Sequence, residues 1–182
     1  DIEVHLRTTD IPPDSFRGQG NGLEIIRLPA DEKPDDHIRK LWDARIIPVC
    51  SSGYLDQHGP ISSPDELCRR DLIHTLGYDN DWHRWARSYA SAMTQVASGF
   101  SVDGLVISVE AACRGEGIIL GRRPLIDDYL RDGRLVEALP GNPGLSTPYY
   151  LVTAPRAPDG RSARSFAEWV LSEAQKNAPR TG

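Results

Sequence analysis

From Ala44 to Ala174, short apolar runs of strand length alternate with stretches whose apolar residues recur at helical spacing, and glycines mark most of the changeovers. This alternation limits the fold more than any other feature, because helices placed between strands must cover the faces of a sheet. It predicts an α/β fold with a largely parallel sheet. Strands are expected at Leu23–Leu28, Ala44–Cys50, Leu72–Leu76, Phe100–Val102, Gly117–Gly121, Leu135–Leu139 and Tyr149–Thr153. Ile2, Val4 and Leu6 alternate with Glu3, His5 and Arg7, so the chain opens, without Met, directly in a further strand and reads as a fragment. Thr8–Asn21, with its prolines and glycines, reads as a loop, and the charged stretch Ala30–Lys40 as solvated surface.

The helices announce themselves by their caps. Ser51 can cap a turn reaching Gln57, and Ser63-Pro64-Asp65-Glu66 has the form of a capping box opening a helix to Arg70. Asp81–Met93 sets Trp82, Trp85, Tyr89 and Met93 on one helical face. Gly104–Arg114 is a helix ended by Gly115, Leu125–Arg131 follows Pro124 and stops at Gly133, and a closing helix from Ser162 presents Phe166, Trp169, Val170 and Ala174.

Composition excludes whole classes. With 182 residues, 39% of them hydrophobic, the chain can build one domain or two small lobes. Its 21 basic and 26 acidic residues give a net charge of −5, and the arginines are scattered rather than gathered into a stripe, so DNA contact would fall to another segment. No run approaches a membrane span. Cys50, Cys68 and Cys113 are odd in number and widely spaced, which fits neither a disulfide framework nor a zinc site and suits a reducing cytoplasm. The five histidines show no metal-ligand spacing. Gly115-Glu116-Gly117 precedes a strand, the reverse of a dinucleotide loop. The acidic doublets Asp35-Asp36 and Asp127-Asp128 point to different faces, and Cys113 has no histidine near it in sequence. No cofactor and no enzymatic activity are expected.

Three strings carry a resemblance: ARIIPVCSSGYLDQHGPISSPDEL (Ala44–Leu67), DLIHTLGYDNDWHRWA (Asp71–Ala86) and VISVEAACRGEGIILGRRPLIDDYLRDGRLV (Val106–Val136). In this order, followed by YYLVT and SFAEWVLSEA, they resemble the effector-binding domain of LysR-type transcriptional regulators, in the branch of the glycine-cleavage and β-lactamase-inducer regulators. The resemblance implies two Rossmann-like lobes joined by two crossing strands, the type II periplasmic-binding-protein fold, with a small-molecule cleft between them. Lobe I would comprise 1–48 and 149–182, its first strand and helix missing before Asp1, and lobe II 49–148.

The resemblance also implies site residues. Helix starts floor the family's cleft, and the matching positions are Ser51 and Ser52 after the first crossing strand and Val102, Asp103, Gly104 and Leu105 after the strand at Phe100–Val102. Ser51 and Ser52 equally suit simple capping, and Asp103 suits a cap that leaves the Gly104 backbone open. Tyr149 at the second crossing would meet the effector or serve as a hinge tyrosine. Arg122 and Arg123 would hold an anion, unless Arg123 pairs with Asp127. The implied partners are a small-molecule effector, a second copy in a homodimer (a tetramer at full length), DNA through a winged helix-turn-helix outside this chain, and RNA polymerase. A free-standing solute-binding protein of a transporter is the alternative.

Overall fold

The computed structural model describes residues 23–27, 37–153 and 161–176. The strand expected at Ile2–Arg7, the loop Thr8–Asn21 and most of Ala30–Lys40 lie outside them. The chain divides into two compact units, one of Asp1–Ala44 with Ser146–Gly182 and one of Arg45–Leu145.

In the first unit β1 (Leu23–Arg27) runs antiparallel to β7 (Leu145–Thr153), pairing Leu23 with Thr153 and Arg27 with Tyr149. Next to β7 lies β2 (Ile38–Cys50), which starts six residues before the expected Ala44. Ile38–Lys40, expected as solvated surface, is therefore strand. The core is Leu41, Leu151, Ala167 and Leu171, with Trp42, Val170 and Ala174 packed on it. Ala167, Val170, Leu171 and Ala174 form one stripe of α6 (Arg161–Lys176). Trp169, expected in that stripe, is 56% exposed and stacks on Phe166 at 5.5 Å, because at 100° per residue it lies nearly opposite the stripe, with Phe166 at its flank.

The second unit holds α1 (Ser52–His58), α2 (Pro64–Leu67), β3 (His74–Thr75), α3 (Asp81–Tyr89), β4 (Ser101–Val102), α4 (Leu105–Cys113), β5 (Ile119–Arg123), α5 (Asp127–Arg131) and β6 (Val136–Glu137). The later part of β2 pairs antiparallel with β5, Arg45 opposite Arg123 and Val49 opposite Ile119, and with β6 on its other edge. The largely parallel sheet expected from the sequence is thus corrected: among the described residues β1 with β7, and β2 with β5 and β6, are antiparallel, while β3 with β4 and the Leu72–Ile118 bridge are parallel. Strands β5 and β6 run back against β2, which alternation of element types does not reveal.

Residues alternating along these strands feed two cores. Ile46, Leu72, Ile118 and Leu120 meet Trp82 and Trp85 of α3, whereas Ile47, Val49, Ile73 and Ile119 meet Val109 and Ala112 of α4. Since successive side chains on a strand point to opposite faces, α3 and α4 cover opposite faces of the sheet. Met93, extrapolated from the α3 periodicity, falls beyond the helix end at Tyr89 and is 91% exposed.

The α2 start is a capping box with one partner shifted. Ser63 Oγ accepts from the Glu66 amide at 3.2 Å, while the Glu66 carboxylate accepts from the Ser62 amide and hydroxyl at 2.9 and 2.7 Å and from Arg70 at 2.6 Å. The Ser62 amide and hydroxyl, then Arg70, hold the Glu66 carboxyl down from 4.5 to about 2. Its contribution to stability is present above the unfolded value and is lost as pH falls through the folded one. An NMR titration should place the Glu66 midpoint near 2; a midpoint at its ordinary value would show that the box is not formed.

Candidate functional site

Strand β4 ends at Val102, Asp103 is exposed, and Gly104, with φ 86° and ψ 146°, occupies the cap position of α4. Asp103, expected as the cap, makes no such contact, and no side chain caps this helix. The positive φ suits glycine, which has no Cβ to strain there and no side chain to fold back over the helix start. The Gly104 carbonyl accepts from the amide and from the hydroxyl of Ser108, each at 3.2 Å. Ser108 Oγ lies 2.6 Å from Thr75 Oγ1, and both residues are buried. Leu105 packs against the core beneath α4, while Val106 and Ile107 are exposed.

The registers decide which expected residues share an end of this unit. Leu76 donates to the Val102 carbonyl at 2.9 Å, so β3 and β4 finish side by side. Their chains then leave for α3 and α4 on opposite faces. That divergence is a topological switch point, where a crevice opens at the carboxyl ends of parallel strands. Because Leu72 pairs parallel with Ile118, and Arg45 lies opposite Arg123, Arg45 in the middle of β2 and the end of β5 belong to this same end.

Ser51 and Ser52 follow the far end of β2, roughly 16 Å along the strand. Ser51 caps α1, its Oγ accepting from the Tyr54 amide at 3.2 Å, beside Gly115. Tyr54 in turn donates to Asp71 at 2.8 Å, a contact at the start of the β3 segment. The structure therefore gathers Val102, Asp103, Gly104 and Leu105 and sets Ser51 and Ser52 apart from them.

Arg122, read as an anion holder, is interior, only 1% exposed. Its guanidinium donates to the Asp81 carboxylate and, at 3.2 Å, to the Leu120 carbonyl, and lies 3.7 Å over the Tyr78 ring. Arg123 takes the surface alternative, bonding Asp127 at 2.5 Å. Tyr149, in the other unit, stacks on Trp42 at 5.4 Å. Thr75, Ser108, Tyr78 and Asp81 were not singled out by sequence reasoning; hydroxyls inside otherwise apolar runs are the only local signal the first two give. Burial pushes the Cys50 thiol up to about 12 and raises that of Cys113. Among the described residues no cluster of metal-ligating side chains occurs, and no helix is long and apolar enough to cross a membrane. An open surface groove of about 900 Å³ lies between Asp65, Arg69 and the Ser91–Ser98 loop.

An open helix start at a strand switch point defines an α/β ligand-binding domain. More particularly, the chain belongs to the LysR substrate-binding domain family, the effector-binding regulatory part of LysR-type transcriptional regulators, whose family model matches residues 1–175. It is 28% identical to the HTH-type transcriptional regulator DsdC of Escherichia coli over 88% of this chain and 53% of the relative. The glycine cleavage system transcriptional activator of Escherichia coli is 27% identical over 95% of this chain and 56% of the relative. The chain thus spans about half the length of these relatives, which are transcription regulators rather than enzymes. Among solved structures, the CrgA regulatory domain from Neisseria meningitidis superposes with a TM-score of 0.67 at 22% identity, covering 84% of this chain and 75% of that one. The AmpR effector domain of Pseudomonas aeruginosa gives 0.66 at 19%, covering 89% and 70%. These likenesses establish the periplasmic-binding-protein-like α/β fold of LysR effector domains.

Proposed function

We propose that this chain is the sensing part of a cytoplasmic transcription factor, taking up a small-molecule effector at the Gly104 turn and passing the resulting conformational preference to a winged helix-turn-helix outside this chain. The observation that carries this reading is the uncapped start of α4 at the switch point between β3 and β4. A helix start of this kind presents backbone N–H groups and a positive dipole end, which favour a carboxylate or hydroxyl on the effector. Val102, Asp103, Gly104 and Leu105 make the contact. The lobes are Rossmann-like, joined by β2 and β7 as the crossing strands, with boundaries a few residues earlier than 48 and 149. Ser51 acts as a helix cap, and Arg122 supplies internal charge balance rather than a ligand contact. Pairing with a second copy in a homodimer belongs to the same reading, with tetramers and RNA polymerase contact belonging to the full-length protein.

An effector acts only through its unequal affinity for two arrangements of the domain. A thermal-shift screen of amino acids, aromatic acids and cell-wall fragments should find a compound that raises stability by about 2.7 kcal/mol at 100 times its dissociation constant. The same compound should alter operator binding by the full-length regulator. Binding with no effect on the operator would leave a solute-binding protein and overturn the regulatory reading.

A further inference from the structure

Hydrogen bonds join Thr75, Ser108 and Gly104 into a short chain. Ser108 Oγ lies 3.2 Å from the Gly104 carbonyl and 2.6 Å from Thr75 Oγ1; either hydroxyl can donate across the shorter contact, and only with Thr75 as its donor does the Ser108 proton stay on the Gly104 carbonyl. Thr75 is 9% exposed and Ser108 0%. A hydroxyl buried without a partner is costly, and here each is satisfied by the next. Thr75 closes β3, Ser108 stands one turn into α4, and Gly104 is the bend between β4 and that helix. The relay therefore ties the end of one parallel strand to the bend that follows its neighbour. Ser108 alone, bonding back four residues, would be free to turn about its Cα–Cβ bond; the Thr75 proton fixes which way it faces.

We propose that Thr75 and Ser108 are positioning residues that hold the Gly104 turn in its effector-receiving geometry, acting through the Gly104 carbonyl and not by touching the effector. This rests on the reading of Val102–Leu105 as the effector contact. Holding that carbonyl inward, against two donors, keeps the peptide groups of the first turn of α4 aligned outward before any ligand arrives. Pre-alignment lowers the ordering cost of binding.

The test uses the 182-residue chain with two opposed substitutions. Thr75→Val keeps the shape and removes the proton; Thr75→Ser keeps the proton and removes a methyl. In Thr75→Val, exchange of the Ser108 amide, the first hydrogen-bonded amide of α4, should quicken about tenfold while α1 and α6 keep their protection, and Thr75→Ser should match the parent chain. Equal quickening in both variants, a rise spread evenly along the chain, or no rise would overturn the relay. Sodium acetate, as the simplest carboxylate probe, should shift the Leu105 and Val106 amide resonances saturably in the parent chain and in Thr75→Ser, and far less in Thr75→Val. If acetate titrates Thr75→Val like the parent, the positioning role is overturned. If the parent amides ignore acetate, the effector reading of this turn fails, and the exchange measurement still decides the relay.

Discussion

Gly117→Ala should destabilise the chain by about 3 kcal/mol, enough to move its urea midpoint far from that of the parent. Gly117 has φ 151°, and a Cβ there would fall on the Asp71 carbonyl oxygen. That oxygen cannot withdraw, since it accepts from the Ile118 amide at 2.8 Å in the bridge that starts the parallel layer. The substitution therefore sets backbone strain and a backbone clash against the pairing on which β3 and β5 depend. Gly53→Ala is the control: nothing lies within 4 Å of its added Cβ, and the position is helical, so alanine should be neutral or stabilising by up to about 1 kcal/mol. Equal midpoints for the two variants would refute the close approach at Gly117.

Arg122→Met should cost about 3–5 kcal/mol, because it strands the Asp81 carboxylate in the interior. Asp81 is 4% exposed, and its remaining cation, Arg84 at 3.1 Å, comes from a side chain that is 40% exposed. The contact of the guanidinium over Tyr78 is lost as well. Combining Arg122→Met with Asp81→Leu should recover much of the loss, since both charges then leave together and the two changes are coupled. Additive losses in the double variant, measured by urea unfolding, would mean that the two side chains do not depend on each other.

What the sequence disclosed follows the range of the interactions involved. The caps at Ser51 and Ser63 were legible because the capping oxygen and its amide lie three residues apart. The Gly104–Arg114 helix was legible from its apolar run and the Gly115 that ends it, though Gly104 rather than Asp103 took the cap position, since only the observed φ distinguishes them. Met93 misled because periodicity continues past the residue where a helix stops. Arg122 misled because the buried strand was expected to end at Gly121, and its partner Asp81 is forty-one residues away in sequence. The separation of Ser51 and Ser52 from Val102–Leu105 was not legible at all. It depends on β2 running antiparallel to β5 while the β3 segment runs parallel to Ile118, and strand direction is set by partners distant in the chain.

The most direct test of the effector reading is amide hydrogen exchange on this chain with and without the compound that most raises its thermal stability. Protection should concentrate at Val102–Val106, at the bend between β4 and α4. Protection confined to α1 with Ser51 and Ser52, or to the Asp65–Ser98 groove, with Val102–Val106 unchanged, would contradict it.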